Sequence, residues 1–337
     1  MRIPVLVQVS SGAFGHQILD YEQIMYNCQT LEKQVFPIFF ESSKSANLYF
    51  LEQMKQRHFL LPHFPTVYIH KALCRLSRKY MSFSILLSKA DTSKLGVIHK
   101  QSICTLASKI QSDHQAINKL PANFPINRTL VGVVIRDNGY DASRGINIKT
   151  DSNRHRNSSL DVFLPSIETI IDSGRTIIRF GRNNSYVKNI SLSFWDLSNP
   201  AMGSFCESAD FVLASRCEFF ISTGSGPDCL GMFFRKPTYL VDTNFPVLPQ
   251  TQVVKKFFLK HYFYTNHFGE TIRLEFEELN RLFKFPDKVI EKLKTGQLFT
   301  RSRSSAQIQH FITYQILKEN MHSESAEYSE VDSGVFY

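Results

Sequence analysis

Two periods of hydrophobic and polar residues alternate along this chain, and the switches between them lay out its elements. Short apolar runs recur at Ile3–Val9, Val35–Phe40, Leu130–Ile135, Thr176–Phe180, Glu218–Ser222 and Thr238–Val241. Each has the length of a strand, and Glu218–Ser222 is a run of the kind a strand buried on both faces shows. Between them apolar residues fall at helical spacing: Ile18, Tyr21, Met25, Cys28 and Leu31 predict a helix over 17–33. Further helices are expected at Lys44–Arg57, Ile103–Leu120 and Phe205–Arg216. Another is expected at Leu160–Ser173, with Pro165 near its start and Gly174 as its C-cap. Pro227 suits the first turn of one more helix, which Arg235-Lys236-Pro237 stops.

Strands alternating with helices predict doubly wound parallel sheets of α/β class. The series occurs twice. An N-terminal Rossmann-like domain is expected over 1–120, a Pro/Asn-marked linker over 121–129 and a second Rossmann-like domain over 130–270. A helical segment over 271–320 rests on Val289–Leu293 and Ala306–Lys318. The polar, acidic tail 321–337 is expected to be disordered. Trp195-Asp196-Leu197 is expected in a loop.

Composition narrows the class. At 337 residues, 43% hydrophobic and 20% charged, the chain reads as a soluble two-domain protein. No apolar run approaches the roughly 20 residues of a membrane-spanning helix, and the start lacks the pattern of a signal peptide. The six cysteines are scattered with no C-x-x-C pair, which points to free thiols in a reducing cytosol. The net charge of +9 suits an acidic ligand or an anionic membrane surface. Nucleic acid is not expected, because the basic residues are dispersed and no stacking motif accompanies them. The basic amphipathic stretch Lys71–Leu87 reads as the basic face of a soluble helix or as a membrane contact.

Candidate chemistry collects at strand ends. Thr223-Gly224-Ser225-Gly226 follows a strand and opens a helix, the arrangement of an anion-binding turn or of an ordinary tight connection. Asp228, in the first turn beyond it, would repel a phosphate placed close by. Arg136-Asp137 ends the strand Leu130–Ile135, and Arg179-Phe180-Gly181 ends Thr176–Phe180. Arg156-Asn157 lies in the polar loop between those two strands. Ligands of open α/β sheets bind at the carboxyl ends of strands, so Arg136, Arg156 and Arg179 with the 222–226 loop suit a diphosphate. The alternative is that Arg136 pairs with Asp137 and Arg179 decorates a surface. In the N-terminal half, the loop Gly12–His16 places Gly12, Gly15 and His16 after the first strand.

Taken together, V-I-R-D-x-G-Y (Val134–Tyr140), R-N-S-S (Arg156–Ser159), I-R-F-G (Ile178–Gly181), F-I-S-T-G-S-G-P (Phe220–Pro227) and G-x-x-G-H (Gly12–His16) resemble one family in order and spacing. It is the family of bacterial glycosyltransferases found among surface-polysaccharide biosynthesis genes, with a fucosyltransferase-like C-terminal half. The resemblance spans the chain from about Gly12 to Pro246. It implies the GT-B architecture, two Rossmann-like domains facing across a cleft, with a nucleoside-diphosphate sugar held by the second. Arg136 matches the arginine that contacts the donor diphosphate, and Ser225 with its neighbours matches the phosphate loop. Ile135, where the family often has His, and the charged insert Asp141–Asp151 depart from it. The implied acceptor is a glycan or a lipid-linked intermediate, and the implied place is the cytoplasm, with peripheral contact at the inner face of the membrane.

No Asp-x-Asp occurs in the chain, so neither metal nor other cofactor is expected, and arginines would stabilise the leaving diphosphate. His16 is the candidate base, with Asp137 and Asp20 behind it; the bland reading is that His16 bonds its own backbone at a helix start. Two other functions stay open. One is a binder of the same fold that has lost the chemistry. The other is a dinucleotide oxidoreductase using Gly224-Ser225-Gly226, although Cys229 stands where its fingerprint needs glycine.

Overall fold

The computed structural model describes residues 3–9, 14–30, 35–41, 47–61, 105–113, 117–118, 120–137, 154–181, 192–197, 207–244 and 254–318. The N-terminal half contains β1 (Ile3–Val9), α1 (Phe14–Thr30), β2 (Val35–Glu41), α2 (Leu48–Lys55), β3 (Phe59–Leu61) and α3 (Thr105–Gln111). Its three strands are parallel in the order β1-β2-β3. The entry to α2 is fixed by Asn47, whose side chain accepts the Phe50 amide at 2.8 Å.

The second half opens with β4 (Leu130–Val134), a 3-10 turn at Arg154–Arg156, a second at Leu160–Phe163, and α4 (Leu164–Asp172). Then come β5 (Thr176–Arg179), β6 (Phe194–Asp196), α5 (Glu207–Arg216), β7 (Cys217–Ser222), α6 (Asp228–Phe233), β8 (Thr238–Thr243) and β9 (Val254–Leu259). These six strands form one parallel sheet in the order β6-β5-β4-β7-β8-β9. In the unit's own count that is 3-2-1-4-5-6, the doubly wound order with its reversal between β4 and β7. The α/β class and the paired Rossmann-like sheets are therefore as the sequence predicts.

Both faces of the large sheet are covered, which is why its strands read as unbroken apolar runs. Val131, Val133, Ile135, Phe219 and Ile221 face one cluster, closed by α4 and the C-terminal helix. Leu130, Val134, Ile178 and Phe220 face the other, closed by α5 and α6. Gly132 sits on that second face because the Phe220 ring occupies the space of its missing side chain. Phe220 also packs on Gly231, where an added Cβ would meet the ring at 3.0 Å.

The two halves share a core. The second cluster continues through α5 and α6 into α1, α2 and α3 as one apolar body. Phe50 of α2 stacks on Phe211 with ring centroids 5.3 Å apart and meets Phe233 edge-on at 5.8 Å. Beside them the buried Glu22 takes the Arg235 guanidinium at 2.7 Å. Phe124, in the expected linker, is buried and packs on Trp195 at 4.9 Å.

Two expectations need correction. Phe194–Asp196 is the edge strand β6, not loop; three residues are too few to show a period, and pairing with β5 makes the strand. The segment 271–320 is mixed rather than helical. Antiparallel β10 (His261–Thr265), β11 (Thr271–Leu274) and β12 (Leu298–Arg301) enclose α7 (Phe276–Leu282) and α8 (Pro286–Thr295) in sequence, before α9 (Ser305–Phe311) and a π-helical turn at Ile312–Leu317. One face of that small sheet covers a minor core of Tyr262, Leu279, Val289 and Leu298. Among the described residues no helix is long and apolar enough to cross a membrane. The stretch Lys71–Leu87, the insert Asp141–Asp151 and the tail 321–337 lie outside the described residues.

Candidate functional site

At a reversal of strand order, the loops after the two central strands turn to opposite sides and leave a crevice beyond their carboxyl ends. In this sheet those loops are the ones after β4 and β7, carrying Arg136-Asp137 and Thr223–Gly226. They are stitched together directly. Thr223 donates its amide to the Val134 carbonyl at 2.9 Å, and its hydroxyl accepts the Arg136 amide at 2.9 Å.

The 154–158 segment joins them. Asn157 Oδ1 accepts from Arg136 Nε at 3.1 Å, and the Ser158 amide donates to the Arg136 carbonyl at 2.9 Å. Arg156 donates to the Gly224 carbonyl at 3.1 Å. Thus Arg136, Arg156, Asn157, Thr223 and Gly224, far apart in sequence, share one crevice. Arg136, Arg156 and Asn157 are partly exposed there, and Thr223 is buried as a stitch.

The 223–226 loop differs from the expected cradle of free amides. Asp228 turns back into it: one carboxylate oxygen accepts the Ser225 amide at 2.7 Å and the other accepts the Ser222 hydroxyl. Ser222 Oγ in turn accepts the Gly224 amide at 3.1 Å. The acid expected to repel a phosphate is therefore the loop's own internal acceptor, and α6 behind it is only six residues long. Burial pushes the Asp228 carboxyl up to about 6, against the opposing pull of Ser222, the Ser225 amide and the Arg156 charge. Gly224 is required here. Its φ is +86°, and a Cβ would come within 2.8 Å of Thr243 Oγ1.

Arg179 is a correction. It was expected beside a ligand, but its side chain is fully buried, bound to Asp196 at 2.9 Å and 4.0 Å from Asp137. A guanidinium sealed between two carboxylates holds β5 and β6 to the strand end of β4 and offers no face to a ligand. Beside it, Arg136 Nε donates to Asn157 Oδ1, and Asp137 Oδ2 lies within 4.0 Å of Arg179. Gly181, with φ 118°, lies just beyond this pair. On the N-terminal side, Gly15 and His16 are in the first turn of α1 rather than in a loop. The His16 side chain and Gly12 lie outside what is described.

Sequence reading missed the support beneath the crevice. Ser158 donates to Asp242 Oδ2 at 2.7 Å, and Lys260 Nζ reaches the same oxygen at 2.7 Å. Lys260 also donates to the Asn157 carbonyl at 3.0 Å, Ser158 Oγ at 2.9 Å and Ser302 Oγ at 2.9 Å. The Arg303 amide holds Asp242 Oδ1 at 2.8 Å. The available signals were Asp242 ending an apolar strand and Lys260 interrupting an aromatic run.

No family model and no curated protein matches the chain. Among solved structures it is similar to the ADP-heptose lps heptosyltransferase II of E. coli, at 11% identity over 88% of this chain and 98% of that one, with a TM-score of 0.44. It is similar to a glycosyl transferase family 9 protein from Veillonella parvula DSM 2008, at 12% identity over 96% and 98%, with a TM-score of 0.47. It is also similar to the E. coli heptosyltransferase WaaC with ADP-2-deoxy-2-fluoro heptose, at 12% identity over 87% and 99%, with a TM-score of 0.39. At these identities no residue role is carried across.

Proposed function

We propose that this chain is a glycosyltransferase that moves a sugar from a nucleoside-diphosphate sugar to a glycan or lipid-linked acceptor in cell-surface polysaccharide synthesis. The observation that carries the reading is the convergence of Arg136 and Arg156, braced by Asn157 and the Gly224 carbonyl, at the switch point of a doubly wound sheet. Two guanidiniums in one crevice match a diphosphate in charge and in planar donor geometry.

In this reading the acceptor hydroxyl oxygen bonds to the anomeric carbon while the bond from that carbon to the diphosphate oxygen breaks. The hydroxyl proton passes to a base, and Arg136 and Arg156 hold the charge that develops on the leaving diphosphate. His16, at the start of α1, is the proposed base, with Asp137 the second choice. No metal or other cofactor is invoked, the protein works in the cytoplasm, and membrane contact is peripheral.

The non-catalytic binder is the second reading, since the same crevice serves both. The dinucleotide oxidoreductase is disfavoured by topology. Its glycine fingerprint belongs after the first strand of the unit, whereas Gly224-Ser225-Gly226 follows β7, the fourth.

Thermal unfolding with ADP, GDP, UDP, CMP and NAD tests the site. A ligand at 100 times its Kd adds about 2.7 kcal/mol, which raises the melting temperature measurably. The expected result is a shift with one nucleoside diphosphate that Arg136→Ala removes. A shift with NAD alone, or one indifferent to Arg136→Ala, refutes the donor site. Slow hydrolysis of the matching nucleotide sugar then separates a transferase from a binder.

A further inference from the structure

Lys260 lies at the junction between β9 and β10, where the large sheet hands over to the small one. It is 2% exposed, and Asp242 beside it is fully buried. Burial pulls the Lys260 amine down and the Asp242 charge pulls it up, yet its three protons reach four oxygens. Asp242 takes an unusual backbone to be there, with φ 53° in the left-handed region where a side chain is strained.

A buried ion pair is weak evidence for stability, because desolvation offsets most of its attraction. What this pair touches is more telling. Two of the Lys260 bonds go to Asn157 and Ser158, which in turn bind the side chain and the carbonyl of Arg136. The others reach Ser302, and Asp242 receives the Arg303 amide. Just before them, in β12, Thr300 donates to the His155 carbonyl at 2.9 Å. Lys260 and Thr300 thus fasten the chain beyond β9 to the 155–158 segment at His155, Asn157 and Ser158. The same segment takes Arg136 on Asn157 Oδ1 and sends Arg156 to the Gly224 carbonyl.

We propose that Lys260 and Asp242 form a buried post that positions the 155–158 segment, and through Asn157 and Arg156 sets the two guanidiniums of the anion site. This rests on the donor-site reading above. Lys260 does not touch the ligand; it is a positioning residue. The C-terminal sheet then serves as the wall that keeps the crevice in binding geometry.

A purely structural ion pair predicts something different, and a double variant separates the two. Lys260→Met alone strands a buried carboxylate and is expected to unfold easily. Lys260→Met with Asp242→Asn leaves no buried charge, and the new carboxamide oxygen can still accept from Ser158 or from the Arg303 amide. Its melting temperature is expected near wild type.

Two readouts are then taken: the Kd of the nucleoside diphosphate selected above, with inorganic pyrophosphate alongside, and amide hydrogen exchange across 154–160 in the ligand-free protein. The post predicts that the double variant binds about tenfold or more weakly and that the Ser158 amide loses protection. Wild-type affinity, or wild-type protection of Ser158, overturns it. If the wild-type protein binds neither nucleotide nor pyrophosphate, the donor-site reading fails by itself. The exchange result still decides whether Lys260 positions the segment.

Discussion

Replacing Asp228 by asparagine tests whether the 223–226 loop is closed by its own carboxyl group. Asn keeps an oxygen for the Ser225 amide and an amide for Ser222 Oγ, so the packing survives and only the titration is lost. Burial raises the Asp228 carboxyl to about 6 from its ordinary 3.8. The native state therefore holds a proton between those values that the unfolded chain releases, and stability falls as pH rises through the window. Well below the unfolded value both states are protonated and the penalty is absent. Above the folded value both are ionised and it is complete, at about 3 kcal/mol for such a shift. Working the linkage across pH 4.5 to 7.5 leaves about 2 kcal/mol within that interval.

The assay is urea unfolding of both proteins at half-unit steps across that range. Every other titrating group is common to the two, so the difference between them isolates Asp228. The expected result is that Asp228→Asn gains on wild type by about 2 kcal/mol between the two ends. A difference that moves the other way would show a carboxylate held ionised by its donors, and one that stays flat a well-solvated carboxylate. The loop amides would then be open to a ligand after all.

Two further substitutions probe the packing that carries the site. Gly132→Ala drives a methyl into the Phe220 ring. It should cost about 1–3 kcal/mol in urea unfolding and be relieved by Phe220→Leu, and an unchanged midpoint would mean that the ring moves aside freely. Arg235 holds φ 56° while its guanidinium binds Glu22 and the Met232 carbonyl. Arg235→Gly and Arg235→Ala both lose those bonds, so the glycine variant should be the more stable by about 1 kcal/mol; equal stability would refute backbone strain at this position.

The parts of this fold legible in the sequence are those whose pattern is local. β4, β5, β7 and β8 are buried on both faces, and four to six consecutive apolar-rich residues between turn signals announce each of them. β10 to β12 escape notice because one face is solvated and carries Arg273, Arg301 and Phe263, which blurs the apolar signal. β9 hides for a related reason, with Lys255 and Lys256 inside an edge strand. Within the site, Arg136 and Arg179 look equivalent in sequence, each closing a parallel strand. Only the fold shows Asp196, 17 residues on, turning one of them into a buried tie. The Lys260 post lies 103 residues from the Asn157 carbonyl it holds, beyond any motif.

On the donor-site proposal, these contacts change what kind of anion site the crevice would be. A glycine loop before a helix ordinarily binds phosphate through amides that the helix leaves unpaired. Here Asp228 and Ser222 take the Ser225 and Gly224 amides internally, and the six-residue α6 adds little dipole. The positive charge at the switch point is therefore carried by side chains, Arg136 from the β4 loop and Arg156 from the segment braced by Lys260. Side-chain charge has to be held in place, because a loose guanidinium loses entropy on binding that a fixed amide does not. That requirement gives the stitched geometry a reason: the Thr223 hydroxyl fixes the Arg136 backbone, Asn157 orients its side chain, and the Gly224 carbonyl anchors Arg156. The loop that resembles a phosphate cradle has become the frame on which two arginines are mounted.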